Sequence, residues 1–447
     1  MNAIAAYLHI ERWPPQPDLL FWIALTLLAG ALLGAAAHRL LGLPRVVGYS
    51  AAGMMLAALG LGLGDGQLHG TDRLIVDLAL ALLLFELGSR VSLRWLRVNP
   101  ALLLTSAIES LLAFWVIFAT LRAFGFDANT ALAGAALLGV AAGAVIGRVA
   151  TELKSAGQVT ERMIVLSALN TLYAVLLLKM VIGWLYVDQR SDWVQGIVQP
   201  LYTFGGSVLV AGLLAAAVGA VVRRVELSDE NSVLLLLGLI LLALTAARLF
   251  SLSTLLVPLL AGVMMRNTSE RPCIWPRHFG TAGGVLVLML FVIVGAAWSV
   301  QALAAGAVVA LALLLARVLA KALVLGGMAH WSGIEVRQGL GLALCLTPVS
   351  ATSLVLLADL QASHPLIAAP LTPVLLSTLA VMALLGPVLV QFGLRVAGEH
   401  RGEKPAASPS PSPISSPSSS SSPITSPVPS PVRPPPIART LEEKEGA

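Results

Sequence analysis

Charged residues are scarce in this sequence of 447 residues: 11% are charged, 57% are apolar, and the mean hydropathy is +0.87. This composition excludes a soluble globular protein. Cysteine is limited to Cys273 and Cys345, so the sequence offers neither a disulfide framework nor a metal-binding spacing. The net charge of +5 comes without a basic patch interleaved with aromatic residues, which excludes a nucleic-acid-binding protein. The composition therefore indicates a chain that lies mostly in a membrane.

Long apolar segments fill the chain from Leu19 to Ala397. A helix needs roughly 20 apolar residues to cross a hydrocarbon core of about 30 Å. The segments are too long and too uniformly apolar for barrel strands. The sequence therefore predicts an all-α polytopic membrane protein with about thirteen transmembrane helices, at residues 19–38, 44–63, 73–93, 100–122, 128–148, 161–187, 200–222, 231–249, 251–266, 280–300, 302–329, 337–358 and 364–397.

Lys and Arg are distributed unevenly between the loops. Alternate loops carry most of them, as in the loop that contains Arg90, Arg94 and Arg97. Because cytoplasmic loops have an excess of Lys and Arg, this pattern places the short N-terminal segment, residues 1–18, outside and the C-terminus inside. Residues 398–447 are rich in Pro and Ser and offer little apolar surface, which predicts a disordered cytoplasmic tail.

Four segments carry a resemblance to a known family. In chain order they are LGLPRVVGYSAAGMMLAALGLG, LLLFELGSRVSLRWLR, SLSTLLVPLLAGVMMRN and FVIVGAAWSV. Each resembles a signature of the monovalent cation:proton antiporter family 2, which includes sodium/proton exchangers and potassium efflux proteins. The resemblance spans nearly all of residues 19–397 and implies an inverted-repeat fold in the inner membrane. It implies core helices at about 100–187 and 302–397, with the remaining helices forming the contact of a homodimer.

The resemblance also implies two helices that are broken near the middle of the membrane and cross there. By position these are residues 128–148 and 337–358, and half-helix ends of this kind offer partial charges and free backbone groups to ions. Thr347 and Pro348 favour a break in the second, because proline removes a backbone donor and frees a carbonyl one turn earlier. The first has glycines that permit unwinding but are also typical of a packing face. These glycines are Gly139, Gly143 and Gly147.

Two departures from the family pattern concern the ion site. Where relatives have a polar and acidic cluster at the first break, this chain has AAGAV at residues 141–145. The family's helix-six pair that ends in aspartate aligns with Asn170 and Thr171, so the asparagine is retained and the aspartate is lost. A midplane carboxylate lets a proton and a cation compete for one site, which couples opposite fluxes. A threonine hydroxyl does not titrate in the physiological range, so it cannot hold the exchanged proton.

Other ionisable residues inside the apolar segments are candidates for that role, since each is costly in lipid. Glu109, near the middle of the fourth helix, is the best substitute carboxylate; the alternative is a structural pair with a buried base. Arg317 and Lys321 share a face of the eleventh helix, and the family implies a basic charge partner there. Lys321 has the alternative of extending its stem to the inner interface. Lys179 lies roughly 12 Å outward from Thr171 on the same side of helix six.

The third helix also carries two acidic residues, Asp77 and Glu86. Their spacing turns them to opposite faces of the helix, which argues against a concerted carboxylate pair. We expect Asp77 near the outer interface and Glu86 buried towards the inner side.

The resemblance implies secondary active antiport of a monovalent cation, Na⁺ or K⁺, against protons. The expected partners are this cation, the proton and the lipid bilayer, with no enzyme activity, no cofactor and no resident metal. Two alternatives stay open: a homologue that no longer exchanges ions and acts as a sensor or binding protein, and a passage for anions or uncharged solutes. The transport residues of the main hypothesis are Glu109 as the proton carrier, Asn170, Thr171 and Thr347 as coordinating groups, Gly143 and Pro348 at the breaks, and Arg317, Lys321 or Lys179 as the charge partner.

Overall fold

The fold comes from a computed structural model that describes residues 19–61, 70–190, 193–224, 230–268 and 279–399. The predicted N-terminal segment and all but two residues of the predicted tail lie outside these ranges. Within them the regular structure is helical, which confirms the all-α prediction. The helices are α1 (Leu19–Leu41), α2 (Arg45–Leu56, continued by a π-helical turn at Ala57–Leu61), α3 (Gly70–Ser89), α4 (Leu93–Val98), α5 (Pro100–Ala123), α6 (Ala128–Leu138), α7 (Gly143–Glu152), α8 (Gln158–Arg190), α9 (Trp193–Arg224), α10 (Glu230–Leu249), α11 (Leu256–Thr268), α12 (Phe279–Ala296), α13 (Val300–Gly327), α14 (Val336–Leu346), α15 (Thr352–Ser363) and α16 (Pro365–Val396).

Six helical stretches among the described residues are long and apolar enough to cross a membrane, by length and composition. They lie in α1, α5, α8, α9, α13 and α16. Several further apolar helices are shorter, and two of these, α6 and α14, end at breaks inside a longer apolar segment. The protein is therefore a multi-pass membrane protein, while the count of thirteen spans stays a prediction.

Local sequence signals start the helices that carry the site. Pro100 occupies the first turn of α5, where its missing N–H costs nothing. The Asp127 carboxylate caps α6 by accepting hydrogen bonds from the backbone N–H groups of Asn129 and Thr130, at 3.0 and 3.1 Å. The Ser299 hydroxyl caps α13 by accepting one from the Ala302 N–H at 3.1 Å. Each cap satisfies backbone donors that have no partner inside the helix.

The helices pack in two groups. We call α5–α8 with α13–α16 the crossing group, because these helices pack mainly on one another and contain both broken helices. We call α1–α3 with α10–α12 the flanking group, whose main contacts are α1 on α2, α2 on α12, and α3 on α11. Helix α9 packs on α8 of the first group and on α11 of the second. The candidate site lies in the crossing group.

Glycine permits a close helix contact in the flanking group, between α3 and α11. A Cβ atom at Gly88 would lie 2.2 Å from the Leu259 carbonyl oxygen, and one at Gly262 would lie 2.2 Å from that of Phe85. No side chain fits at these distances, so the two backbones approach through a small-residue contact common between membrane helices. This contact fixes α3 within the flanking group.

Candidate functional site

Two broken helices cross at the centre of the crossing group. The first is interrupted between Leu138 and Gly143, and the second between Leu346 and Thr352. The extended segments meet in an antiparallel bridge between Ala141 and Val349. Next to it, the Ala142 N–H donates a hydrogen bond to the Pro348 carbonyl oxygen at 2.9 Å. The predicted pair of broken crossing helices is confirmed, and Pro348 lies at the break as expected.

Arg317 of α13 binds the C-terminal ends of both first half-helices. Its Nε donates to the Thr347 carbonyl at 2.8 Å and its Nη2 to the Val140 carbonyl at 3.0 Å, while Nη1 donates to the Leu138 carbonyl. The side chain is buried, with 1% of its surface exposed. A helix C-terminus has unpaired carbonyls and a partial charge of about −0.5, so two such ends together balance one guanidinium. Arg317 is thus a built-in cation at the position where the two C-terminal ends meet.

The N-terminal ends of the second half-helices, α7 and α15, differ in their capping: α7 has no side-chain cap, and α15 has a hydroxyl group as its partner. Ala142 precedes α7 and provides no side-chain cap. At the start of α15, the Ser350 hydroxyl accepts a hydrogen bond from the Thr352 N–H at 3.2 Å. The Ser353 hydroxyl donates to the Leu137 carbonyl of α6 at 2.7 Å, which ties the two broken helices together. Because these ends carry partial positive charge and no carboxylate bonds to them, the crossing offers no titratable acid of its own.

Glu109 and Lys321 form a fully buried ion pair between α5 and α13. The Lys321 ammonium contacts Glu109 Oε1, and both side chains have 0% of their surface exposed. The other carboxylate oxygen, Glu109 Oε2, is buried and has no hydrogen-bond partner. Burial of two charges is compensated only by good mutual geometry, so loss of either partner would leave a costly isolated charge. Glu109 has the burial, the counter-charge and the free oxygen of a binding group.

A polar patch surrounds Glu109 where α5 faces α8. We define it as Ser106, Glu109, Ser110 and Asn170. The first three lie within about one helical turn and so share a face of α5. The Ser110 hydroxyl donates to Asn170 Oδ1 at 2.7 Å. The Ser106 side chain interacts with the side chain of Tyr173 on α8. Two polar atoms of the patch are buried without a partner, namely Glu109 Oε2 and Asn170 Nδ2. Since buried polar atoms are normally hydrogen-bonded, this concentration of unpaired ones indicates a place for a bound species.

Other predicted site residues lie outside the polar patch. The Thr171 hydroxyl donates to the Ser167 carbonyl at 2.9 Å, and the Thr347 hydroxyl donates to the Ala343 carbonyl at 2.8 Å, so both serve their own helices. The contribution of Thr347 to the crossing is its backbone carbonyl. Gly143 begins α7, where a Cβ atom would lie 2.7 Å from Cδ2 of Leu87.

The remaining predicted residue, Lys179, lies apart from the crossing and pairs with Asp359 of α15. Lys179 Nζ is 3.2 Å from Asp359 Oδ2. Sequence reasoning missed Asp359, which lies just beyond the predicted twelfth helix. Asp359 could have been found in the sequence as an acidic residue at the end of an apolar segment. Ser106 and Ser110 were missed too, because isolated serines in apolar helices do not stand out without their neighbours.

Of the two acids of α3, Glu86 differs from the expectation, because it is not the buried one. Asp77 is buried, with 2% of its surface exposed, and Arg248 Nη2 of α10 lies 2.5 Å from its Oδ2. Glu86 is partly exposed and pairs with Arg90 at 2.7 Å, one turn along the helix. The partner on another helix decides this outcome, since Arg248 compensates the buried charge of Asp77.

A cavity of about 680 Å³ opens between the two groups at the C-terminal end of α3. The flanking side contributes Glu86, Arg90 and Arg266, together with Trp95 of α4. The crossing side contributes the turn between α7 and α8 and the first residues of α8, from Ser155 to Val165. A mixed polar lining of this kind suits a water-filled vestibule.

Broken helices that cross within a bundle of apolar helices define a secondary transporter, in which the half-helix ends handle ions. This chain belongs to the sodium/hydrogen exchanger family, whose transmembrane model matches residues 23–395. The family is one of transporters rather than enzymes. The resemblance to cation:proton antiporters inferred from the four sequence segments is thereby confirmed.

Solved structures support the same fold. The sodium proton antiporter MjNhaP1 from Methanocaldococcus jannaschii, in a structure at pH 8, superposes with a TM-score of 0.61 at 15% identity over 86% of this chain and 99% of the other. A structure of the same antiporter from electron microscopy gives a TM-score of 0.65 at 16% identity, over 87% of this chain and 100% of the other. At this identity the likeness shows the fold. A comparison with curated proteins gave no match.

Proposed function

We propose that this protein exchanges a monovalent cation, Na⁺ or K⁺, for protons and that Glu109 is the group for which they compete. The observation that carries the proposal is the polar patch, in which a fully buried carboxylate has one oxygen on Lys321 and one without a partner. A carboxylate can be neutralised by a proton or paired with a cation, but not by both at once. This competition is the requirement for coupled exchange.

Oxygen atoms around Glu109 suit a dehydrated alkali cation. Glu109 Oε2 is unpaired, Ser106 lies on the same face of α5, and Asn170 presents its amide oxygen towards Ser110. Hard cations prefer such oxygen ligands. Lys321 holds the carboxylate when neither ion is bound and is released when one of them binds. The acid lost at Thr171 is in this way replaced by an acid on the neighbouring helix α5.

Movement of the crossing group against the flanking group would carry the patch from one side of the membrane to the other. The core helices predicted at about 100–187 and 302–397 would form the moving part. By the distribution of Lys and Arg, the N-terminus lies outside and the tail lies in the cytoplasm. The cavity beside Glu86 and Arg90 then opens to the cytoplasm. The flanking group would form the homodimer contact in a bacterial-type inner membrane.

A second candidate is a family member that binds or passes a solute without exchanging ions. One observation favours it: Arg317 already occupies the ends of both half-helices that would attract a cation. Near the centre two bases, Arg317 and Lys321, accompany one acid, Glu109, which favours an anion or an uncharged solute over a cation. Under this alternative the Glu109 pair is structural.

A flux assay in proteoliposomes distinguishes the two candidate functions. We expect an imposed Na⁺ or K⁺ gradient to drive proton flux, read with an internal pH dye, in vesicles that contain the parent protein. Glu109→Gln should abolish the flux, because an amide neither titrates nor pairs with a cation. Asp188→Asn is the matched control, since Asp188 is an exposed carboxylate near the end of α8. It should keep the parent rate.

A folding control is needed because Glu109→Gln leaves Lys321 without its buried partner. The double variant Glu109→Gln/Lys321→Met removes both charges and should fold without restoring flux. Absence of flux with either ion in the folded parent protein would overturn the exchange proposal and favour the second candidate. Full flux in the folded double variant would show that exchange occurs without Glu109.

A further inference from the structure

Five charged residues form a chain at the end of α3 opposite the cavity. Asp77 of α3 binds Arg248 of α10 at 2.5 Å, and Lys179 of α8 lies 3.2 Å from Asp359 of α15. Arg73 of α3 lies between the two acids, with its Nη2 3.6 Å from Asp359 Oδ1 and its Nε 4.0 Å from Asp77 Oδ2. The five charges are therefore linked through Arg73.

These ion pairs differ in whether both residues belong to one helix group or to two different groups. Lys179 and Asp359 both belong to the crossing group, and Asp77 and Arg248 both belong to the flanking group. The contact of Arg73 with Asp359 is the link of the chain that runs from one group to the other. A relative movement of the groups leaves the pairs Asp77–Arg248 and Lys179–Asp359 intact, because each lies within one group. The same movement separates Arg73 from Asp359.

The contact between Arg73 and Asp359 lies at the end of α3 that is opposite the cavity. The cavity between the groups lies beside Glu86 and Arg90, at the C-terminal end of α3, and Arg73 lies near its N-terminal end. The other ion pairs between the groups, among the described residues, join Glu152 to His38 at 3.2 Å and to Arg45 at 3.8 Å. Glu152 ends α7 and lies on the cavity side, so it does not close the Arg73 end.

We infer that Arg73 is a positioning residue for transport: it holds Asp359 and so keeps the groups together at the end opposite the cavity. The inference rests on the group movement proposed above. Opening of that end separates Arg73 from Asp359 without leaving either charge alone, since Arg73 keeps Asp77 and Asp359 keeps Lys179. Asp359 Oδ1 then becomes free at the mouth of the opened path, where a carboxylate attracts an incoming cation.

The test measures distance rather than transport, so it does not depend on whether exchange occurs. Spin labels at Leu74→Cys on α3 and Leu366→Cys on α16 report the separation of the groups at this end. Both leucines are exposed, with 48% and 89% of their surface accessible. Cys273 and Cys345 are replaced by alanine in all samples. The full chain is reconstituted in nanodiscs and examined by pulsed electron resonance.

Arg73→Gln should raise the population with the longer distance about two- to fivefold, the range that a partly exposed ion pair supports. Arg73→Lys keeps the charge and should stay near the parent distribution. Arg90→Gln is the matched control, because Arg90 pairs with Glu86 on the same helix at similar exposure, 39% against 41% for Arg73, but within one group. It should leave the distance unchanged.

Two further measurements complete the test. High salt screens exposed ion pairs, so it should lengthen the distance in the parent and have little effect in Arg73→Gln. Asp359→Asn should reproduce the shift of Arg73→Gln from the other side of the contact. A distribution in Arg73→Gln and Asp359→Asn that superposes on that of the parent would overturn the inference. An equal shift in Arg90→Gln would overturn it as well.

Discussion

Two basic residues one turn apart on α13 contribute to two different regions. Arg317 lies at the crossing and donates to three backbone carbonyls, whereas Lys321 lies at the polar patch and contacts one carboxylate. The planar guanidinium fork suits several fixed acceptors at once, and the compact ammonium suits a single charge. The crossing is consequently held by permanent backbone contacts. The polar patch contains the titratable acid.

The difference between the crossing and the polar patch concerns which of them can bind and release a proton. Helix ends have fixed partial charges that no proton removes, so the crossing can position an ion but cannot couple it to a proton. A carboxylate beside a movable counter-charge can do so. The crossing therefore provides the framework, and the polar patch is where we propose that protons are coupled.

The largest effect should come from removal of Arg317. Arg317→Leu leaves three buried carbonyls without a donor, and each costs about 1–3 kcal/mol, so we expect a loss of about 3–9 kcal/mol in the free energy of unfolding. Arg317→Lys should be intermediate, because an ammonium reaches fewer of the three acceptors. Denaturant unfolding of the detergent-solubilised protein measures both. A Leu variant as stable as the parent would show that the crossing does not depend on this cation.

A smaller effect is expected at the polar patch, where the pair can be removed from either side. Glu109→Gln and Lys321→Met should each destabilise the protein by about 3–5 kcal/mol, because each leaves one buried charge alone. The double variant should be less destabilised than the sum of the two by up to about 3 kcal/mol. The same unfolding assay gives this coupling energy. Strictly additive losses would mean that Glu109 and Lys321 do not act as a pair.

The smallest effects separate side-chain from backbone contributions at the crossing. Thr347→Val removes a hydroxyl that bonds within its own helix and should cost about 0.5 kcal/mol. Ser353→Ala removes a hydroxyl that joins α15 to the Leu137 carbonyl of α6, and it should cost about 1–2 kcal/mol. Thermal melts of the two variants rank them directly. The reverse order would place Thr347, not Ser353, among the contacts that hold the crossing.

Much of the framework was predictable from local chemistry. Pro348 indicated a break because it cannot donate to the helix, and the structure interrupts the helix between Leu346 and Thr352. Gly143 indicated unwinding in the other broken helix, and α7 begins there. The candidate carboxylate, Glu109, stood out because an acid in an apolar helix is costly.

The partners of these residues were not predictable in the same way. Spacing placed Arg317 and Lys321 on one face of α13, but it gave no reason for one to bind carbonyls and the other an acid. Glu86 was expected to be buried and is partly exposed, whereas Asp77 is buried because a base from α10 compensates it. Pairing between helices far apart in the sequence depends on which faces meet.

The sequence by itself determined that this chain is a multi-pass helical membrane protein of the antiporter type, with breaks in two helices. Hydropathy, proline and glycine act within one segment, so they can be read along the chain. Only the tertiary structure decided that Arg317 fills the crossing, that Glu109 pairs with Lys321, and that Arg73 links the two groups through Asp359. Those outcomes depend on burial and on charges from distant segments, since a buried charge is tolerated only where the fold brings it a partner.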